Sequence, residues 1–291
     1  MSTDVVLLTR FNLPSGGEES LIRAKEGWLR HRAELFGRYT LPSVAAQRTA
    51  PTAWLIYFDV ASPQWLRDRV DAWRSEVTFT PLYRTTVPAS DQVNDLREAV
   101  SYKSELLITA NLDNDDSIAS DFVERLADVS TPDLPHGIYL ASGLIRTNDR
   151  LYLHHDPVNA FVAVLDRWDR PRTCWADWHN LIGRMMPVTT LAGDPAWLQV
   201  VHGRNVSNRV HGRIVSPLPY RDLFPGLIED VPPPSKTAMF EDRYLRGTGR
   251  ALREAIRSGV KAAALRLGGK DALALAKVTF RHLRTVFRNP A

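Results

Sequence analysis

The stretch Leu106-Leu107-Ile108-Thr109-Ala110-Asn111-Leu112-Asp113-Asn114-Asp115-Asp116 joins an apolar run directly to a cluster of carboxylates. The apolar and β-branched residues of its first seven positions predict a buried strand, Leu106–Leu112. In open α/β sheets, ligands bind at the carboxyl ends of the strands, which is where the acidic run begins. The stretch therefore predicts a central strand with a binding site at its end.

Apolar runs and helical patterns alternate over the first two-thirds of the chain. The other predicted strands are Val5–Thr9, Ala53–Phe58 and Val77–Leu82. The predicted helices between the strands are Glu18–Phe36, Gln64–Arg74 and Asp91–Ser104. This β-α-β-α order predicts a Rossmann-like α/β fold, with a mainly parallel central sheet and helices on both faces.

The pattern after the acidic run is more antiparallel. A short helix is predicted at Ile118–Ala127. Gly137–Arg146 and Leu151–His154 flank the turn-forming residues 147–150, which predicts an antiparallel hairpin.

Composition limits the classes of function. The 291 residues are 44% hydrophobic and 24% charged, which is typical of a globular protein. The single cysteine, Cys174, excludes an intrachain disulfide. No apolar stretch approaches the roughly 20 residues needed to span a bilayer. Because the chain starts with a strand-like run rather than a signal sequence, we expect a cytoplasmic protein.

The charges separate an acidic body from a basic tail. Residues 236–291 contain 13 Lys/Arg and 4 Asp/Glu, whereas the preceding 235 residues contain 24 and 29. Pro232-Pro233-Pro234 predicts a stiff linker between them, and the apolar spacing beyond it predicts a tail of basic amphipathic helices. This composition argues against nucleic-acid binding. The tail is expected either to bind an anionic membrane surface or to pack on the body or on a second subunit in a homodimer.

The acidic run itself suggests a cation site. If the chain continues as a strand, Asp113 and Asp115 point the same way, with Asp116 beside them. Two such carboxylates suit Mg²⁺ or Mn²⁺, which takes its other ligands from diphosphate oxygens and water. A cation would also relieve their repulsion, about 1 kcal/mol at ~4 Å in water.

Three other interpretations of the run remain open. The first is that Asp116 or Ser117 caps the following helix, where an acidic residue is favourable. The second is that the run is a solvated acidic turn. A calcium loop is disfavoured, because Ile118 stands where that loop needs glycine.

Several further motifs occur in order along residues 5–215. They are Trp28-Leu29-xx-Arg32-xx-Leu35-Phe36-xx-Tyr39-xx-Pro42-Ser43-xxx-Gln47, Trp54-Leu55-Ile56-Tyr57-Phe58-Asp59, Phe122-Val123, Pro157-Val158-Asn159-Ala160-Phe161 and Trp197-Leu198-Gln199-Val200-Val201-His202-Gly203-Arg204-Asn205. With the Leu112–Asp116 core, they resemble the rhamnosyltransferase family of GT-A proteins. The sequence departs at Asn111, where we expect an arginine.

The resemblance implies a GT-A domain over residues 1–230, followed by the helical tail at 236–291. In such a domain, about 1–116 would bind a nucleotide-sugar donor and about 117–230 the acceptor. The donor residues that it implies are Thr9, Arg10, Asp59, Arg97 and Asp113.

The resemblance also implies a divalent ion and a catalytic carboxylate. The metal ligands would be Asp113, Asp115 and Asp116, completed by a late histidine, His202. His179 is the alternative histidine, in the aromatic segment 175–179 that would form an acceptor pocket. If the reaction inverts stereochemistry, Asp177 is the expected base, with Asp156 in reserve.

The expected reaction is transfer of a sugar, rhamnose if the family's description holds, from a UDP-, dTDP- or GDP-sugar to an acceptor hydroxyl. Mn²⁺ or Mg²⁺ would stabilise the departing diphosphate. The acceptor would be a saccharide or a lipid-linked molecule at the inner face of the plasma membrane. The alternatives are a sugar-phosphate nucleotidyltransferase and a catalytically inactive GT-A scaffold at the membrane.

Overall fold

The computed structural model describes residues 3–13, 27–101, 103–201 and 210–242. The chain divides into one compact unit of Met1–Val210 with Ile214–Pro234, and a second of His211–Arg213 with Ser235–Ala291. No helix among the described residues is long and apolar enough to cross a membrane. The predicted stripe of the basic tail falls mostly within 243–291, outside the described residues, so its membrane binding stays a prediction.

A mainly parallel sheet of seven strands forms the centre of the larger unit, within the part of the chain that is described. Its strands are β1 (Thr3–Arg10), β2 (Ala53–Asp59), β3 (Thr80–Arg84), β4 (Leu106–Asn111), β6 (His136–Leu140), β9 (Ala163–Arg167) and β10 (Val188–Leu191). Their order is β10-β6-β9-β4-β1-β2-β3, and β9 is antiparallel to both of its neighbours. The predicted parallel sheet is thus confirmed, with one antiparallel strand inserted.

The remaining described strands form a second sheet. They are β5 (Ser117–Ile118), β7 (Ser142–Arg146), β8 (Leu151–His155), β11 (Trp197–Val200) and β12 (Arg213–Val215), in the order β12-β8-β7-β11-β5. The pair β7–β8 is antiparallel and is the predicted hairpin.

Helices cover both faces of the central sheet. The described helices are α1 (Trp28–Leu35), a π-helical turn (Phe36–Thr40), α2 (Leu41–Ala45), α3 (Gln64–Glu76), α4 (Ala89–Ala99), α5 (Phe122–Ala127), 3₁₀ turns at His179–Arg184 and Leu218–Tyr220, and α6 (Lys236–Glu241). Alternation along β2 separates the two cores: Trp54 and Phe58 pack with Trp73 of α3, whereas Leu55 and Tyr57 pack with Leu96 of α4.

One strand and one helix have boundaries that differ from the predicted ones, because residues near those boundaries form hydrogen bonds with neighbouring elements. Strand β3 begins at Thr80, not Val77, because the Val77 N–H donates to the Trp73 carbonyl at 2.9 Å and so belongs to the end of α3. Helix α4 ends at Ala99, before the predicted Ser104, whose N–H is held by Asp4 at 2.7 Å.

Two further predictions of secondary structure are wrong. Ile118, predicted as helical, pairs with Trp197 in a sheet, and α5 begins only at Phe122. The single predicted strand Gly137–Arg146 is two strands in different sheets. The break is at Ala141, whose backbone groups bond to Leu191 and Asp156 at 2.9 and 2.8 Å.

Strand β7 packs so closely on β11 that it has no room for a side chain at Gly143. A Cβ at this position would lie 2.0 Å from the ring of Trp197. That ring is buried, stacks on Phe161 at 5.2 Å and donates from its indole nitrogen to the Leu140 carbonyl at 2.9 Å. The indole therefore cannot move aside without loss of these contacts.

We predict that Gly143→Ala lowers the free energy of unfolding by at least about 2–3 kcal/mol, because overpacking forces buried groups from their positions. Urea denaturation measures the change. Gly183→Ala is the matched control, since its added Cβ would meet Val188 at an ordinary 3.7 Å. Equal stability of the two variants would contradict the packing argument.

A buried arginine ties the chain before the linker to the second sheet. Arg146 of β7 is 3% exposed and donates to the Leu227 carbonyl and, at 2.6 Å, to Asp230. The hydrogen bond from Arg146 lowers the pKa of Asp230 below its usual value of 3.8. Asp230 therefore stabilises the fold above that pH, and the contribution disappears as pH falls through the lowered pKa.

We predict that Asp230→Asn costs about 1–2 kcal/mol at pH 7, at the low end of a charged hydrogen bond because Asp230 is half-exposed. The difference from wild type should shrink as pH falls below about 4, as followed by urea denaturation at a series of pH values. Asp149→Asn, in the exposed hairpin turn, is the control. A difference independent of pH would contradict the role of the Asp230 charge.

Candidate active site

The parallel strands β1, β2 and β4 end side by side at one edge of the central sheet. Their last residues are Arg10, Asp59 and Asn111. The acidic run follows β4 at this edge, as predicted from the position of ligand sites in α/β sheets. These elements form the candidate site.

The acidic run is a turn rather than an extension of β4. Leu112 still donates to the Leu8 carbonyl of β1 at 3.0 Å, and the Asp116 N–H then approaches the Asp113 carbonyl at 3.4 Å. The alternation expected of a strand therefore does not hold between Asp113 and Asp115. The charge of Asp115 nevertheless acts on Asp113, whose pKa is raised by burial and secondly by Asp115.

Arg32 of α1 compensates part of the negative charge. Its guanidinium forms an ion pair with Asp115 and donates to the Asn114 side-chain oxygen at 3.2 Å. The Asn114 amide in turn donates to the Phe11 carbonyl after β1. Both charged partners are largely buried, so the helix and the turn are joined where water provides little screening.

Asp116, the last residue of the run, and Ser117, which follows it, have structural roles. Asp116 is 1% exposed and accepts a hydrogen bond from the Val200 N–H at 2.9 Å, and the Ser117 hydroxyl donates to the Tyr39 carbonyl at 2.9 Å. Neither caps α5, which begins five residues after Ser117. The capping interpretation is therefore wrong. The solvated turn is excluded as well, since Asp115 and Asp116 are both buried.

The segment 28–47, which is helical as far as Ala45, holds the chain that follows the run, and this explains the spacing of the first family motif. Besides Arg32 and Tyr39, Gln47 contributes with both ends of its amide. It donates to the Ala119 carbonyl at 2.7 Å and accepts from the Val123 N–H at 3.1 Å. The residues of this motif thus hold the acidic turn and the chain after it in place.

Burial and mutual repulsion raise the pKa of two carboxyls in the run. Desolvation is the larger cause for Asp113 and the charge of Asp115 the second; the Asn111 hydrogen bond and the charges of Arg32 and Arg10 oppose them. Burial and then the charges of Asp115 and Asp113 hold the pKa of Asp116 well above its usual value. Asp113 nevertheless remains exposed to solvent, unlike Asp115 and Asp116.

An aromatic side chain from the second half of the chain completes this edge. The Trp175 ring lies under Arg10, with 4.1 Å from the guanidinium carbon to the ring centroid, and 5.4 Å from the Tyr57 ring. Its indole nitrogen donates to the Asn111 side-chain oxygen at 2.7 Å. The Asn111 amide donates to Asp113 at 3.2 Å.

Two residues that were predicted to contact the nucleotide-sugar donor form hydrogen bonds within the protein at this edge. Thr9 is fully buried and its hydroxyl accepts from the Trp54 indole at 3.0 Å, which corrects its assignment as a donor contact. One oxygen of Asp59 closes the turn after β2 by accepting from the Ala61 N–H at 2.8 Å. Asp59 is only partly buried and lies beside Asn12, which accepts its N–H at 3.0 Å.

Arg97 lies at the opposite edge of the sheet. It donates to the carbonyls of Trp168 and Asp169, just beyond the end of β9, where Arg167 pairs with Leu106 at the start of β4. Its assignment to a diphosphate is therefore a wrong prediction. The reason is geometric: α4 runs back across the sheet, so its last turn lies at the amino ends of the strands.

The expected catalytic carboxylates belong to neighbouring segments. Asp177 follows Trp175 by two residues, so their Cα atoms are at most about 7 Å apart. Burial is the main cause that raises the pKa of Tyr139 to about 12, and the charge of Asp156 is the second; the Tyr139 hydroxyl donates to the His179 carbonyl. Asp156 therefore lies near the same segment. His202 is outside the described residues, so its predicted role stays a prediction.

The carboxylates of the acidic turn meet only part of the needs of a divalent ion. Among the described residues, no group of three or more His, Cys, Asp or Glu side chains could hold a metal by itself. Mg²⁺, however, is usually bound through one or two carboxylates together with substrate phosphates. Asp113, which is exposed, fits that smaller set, whereas Asp115 would have to share its carboxylate between the ion and Arg32. Asp116 fits less well because it is bonded to Val200.

Most of the sequence matches a known protein family. Residues 4–214, more than half of the chain, match the family model described as "Putative rhamnosyl transferase". The chain belongs to this rhamnosyl transferase family. The resemblance to the rhamnosyltransferase family found in the motifs is thereby confirmed, and the structure confirms the α/β class with a mainly parallel central sheet. No curated protein matches the chain.

Solved structures show distant likeness to the chain. S. aureus TarS 1-349 in complex with UDP-GlcNAc has 10% identity and a TM-score of 0.43, over 72% of this chain and 62% of TarS. The inositol-1-phosphate CTP transferase from T. maritima has 9% identity and a TM-score of 0.39, over 78% and 97%. The chain thus spans about three-fifths of TarS 1-349, and likeness at this level carries no assignment.

Sequence reasoning missed Arg32, Asn114 and Trp175 as parts of this site. The motif that contains Arg32 was recognised, but nothing in its spacing indicates which partner it reaches. Trp175 was assigned to the acceptor side because its neighbours are aromatic and polar. Its proximity to Arg10 depends on the path of the chain after β9.

We predict that Arg32→Leu, in buffer without divalent ions, lowers the free energy of unfolding by about 3–5 kcal/mol, because it leaves the buried Asp115 unpaired. Arg30→Leu is the matched control: Arg30 is exposed on the same helix and lies over Trp65 at 4.6 Å, so about 1 kcal/mol or less should be lost. Adding Asp115→Asn to Arg32→Leu should restore part of the stability. Equal effects of Arg32→Leu and Arg30→Leu in urea denaturation would refute the pairing.

Proposed function

We propose that the protein transfers a sugar from a nucleoside diphosphate sugar to an acceptor hydroxyl, with the diphosphate bound at the acidic turn. The observation that carries this proposal is the position of Asp113: exposed, at the carboxyl edge of the sheet, with Arg10 and Asp115 beside it. Membership of a family of sugar transferases supports the reaction class. Rhamnose, from the family's description, is the sugar that we propose first.

Asp113 and Asp115 would hold Mn²⁺ or Mg²⁺, which supplies positive charge to the departing diphosphate when bound. Arg10 would add a fixed positive charge on the same side, since its guanidinium is held against Trp175. Preorganised charges of this kind stabilise a leaving group without reorganisation of water. The nucleoside would lie towards the ends of β1 and β2, near Asp59.

The acceptor would enter from the side of residues 175–179. Its hydroxyl oxygen attacks the anomeric carbon, the bond to the diphosphate breaks, and the hydroxyl proton passes to a carboxylate. Asp177 is the proposed base because it adjoins Trp175 in the chain, and Asp156 is the reserve. One oxygen of Asp177 accepts the Trp178 N–H at 2.8 Å, which would orient the carboxylate.

We predict that Asp113→Asn and Asp115→Asn each weaken Mn²⁺-dependent binding of UDP, dTDP or GDP by about tenfold or more, because a hard cation loses an anionic ligand. Calorimetry with and without Mn²⁺ measures the effect, and sugar release from the corresponding nucleotide sugars measures activity. Asp149→Asn, a loss of the same charge in the exposed hairpin turn, should bind as wild type does.

Full activity in EDTA would refute the metal part of the proposal. Pyrophosphate release from a nucleoside triphosphate and a sugar phosphate would indicate the nucleotidyltransferase instead. Absence of any nucleotide binding by the wild type would favour an inactive scaffold.

A further inference from the structure

Trp175 connects the segment after β9 to the ends of β1 and β4, a contact that no pattern in the sequence indicates. It comes from the chain after β9, yet its indole reaches the end of β4 and its ring lies under the last residue of β1. Two hydrogen bonds from the residues just before it place it there. The Cys174 N–H donates to the Thr109 hydroxyl at 2.9 Å, and the Thr173 hydroxyl donates to the buried Gln92 side chain at 2.6 Å.

The indole contact fixes the amide of Asn111. An indole N–H is a donor without acceptor capacity, so the Asn111 atom that it contacts at 2.7 Å must be the oxygen. The amide nitrogen then points the other way, where it donates to the Ala160 carbonyl at 2.9 Å and to Asp113 at 3.2 Å. The side chain of Asn111 is thus held at both ends, and it presents a donor to the exposed carboxylate.

The ring face of Trp175 positions a second group. The guanidinium of Arg10 lies 4.1 Å from the ring centroid, within the range of a cation–π contact, and its charge acts on Asp113. Asp113 therefore receives one hydrogen bond and one neighbouring charge whose positions both depend on the same indole.

We propose that Trp175 is a positioning residue of the donor site, which sets Asn111 and Arg10 relative to Asp113 and so links the segment of the proposed base to the diphosphate. The inference rests on the proposed function. Trp175 acts through these neighbours and is not itself a catalytic residue.

The test uses Trp175→Phe, which removes the N–H but keeps an aromatic face for Arg10. Titrations would use Mn²⁺ with whichever of UDP, dTDP and GDP the wild type binds most tightly. Because one hydrogen bond is lost, the Kd should rise about three- to tenfold. Asn111→Ala should raise the Kd to a similar extent. If Trp175 acts through Asn111, the double variant should bind no more weakly than Asn111→Ala alone.

Trp168→Phe is the matched control. The Trp168 indole also donates to a side-chain oxygen, that of Asp4 at 2.9 Å, and a cation, Lys103, lies 5.6 Å from its ring. Asp4 is near the start of β1, so this copy of the arrangement is at the opposite edge of the sheet. Both variants should lower the urea midpoint, but Trp168→Phe should leave the Kd unchanged.

If Trp175→Phe folds poorly, a second variant tests the inference. Replacement of Trp175 alone by β-(benzothiophen-3-yl)alanine keeps the shape of the ring and lacks the N–H, and it should raise the Kd in the same way. An unchanged Kd in either protein, or additive effects of Trp175→Phe and Asn111→Ala, would overturn the inference. If the wild type binds none of the three nucleoside diphosphates with Mn²⁺, the proposed function itself fails.

Discussion

The pairing of Arg32 with the acidic turn is the contact on which the site depends. Three carboxylates within four residues, two of them buried, repel one another where solvent cannot screen them. Helix α1 brings one guanidinium into contact with Asp115 and Asn114, and Asn114 is anchored to the chain after β1. The turn can therefore remain folded beside a hydrophobic core while Asp113 stays at the surface.

The parts of the fold that were predicted correctly are those with a local signal. Strands β1, β2 and β4 are buried on both faces, so their apolar runs are unbroken and their ends are clear. Errors occur where a residue is used by a distant partner. Ile118 belongs to a strand because Trp197 pairs with it, and Gly137–Arg146 is divided because Ala141 bonds to two separate segments. No local pattern contains that information.

The site shows the same division. The position of the acidic run at the end of β4 follows from the order of elements, whereas the partners of its side chains do not. Thr9 faces the core because strand alternation places it against Trp54, and Arg97 is at the far edge because a crossover helix returns to the start of the next strand. Both cases depend on the face or the end of the sheet at which the residue lies, and a motif match does not give that information.

The antiparallel insertion of β9 constrains the length of the chain that follows it. Arg172 is held by Asp166, opposite Leu107, and three residues later Trp175 contacts Asn111. Between these two contacts, the Ala176 N–H closes a turn on the Thr173 carbonyl at 3.0 Å, and the Cys174 N–H inside that turn bonds to Thr109 of β4 at 2.9 Å. The segment is therefore held against β4 at both ends and within its turn. Insertions and deletions among homologous chains should be scarce here and should collect in slack loops such as the hairpin turn at 147–150.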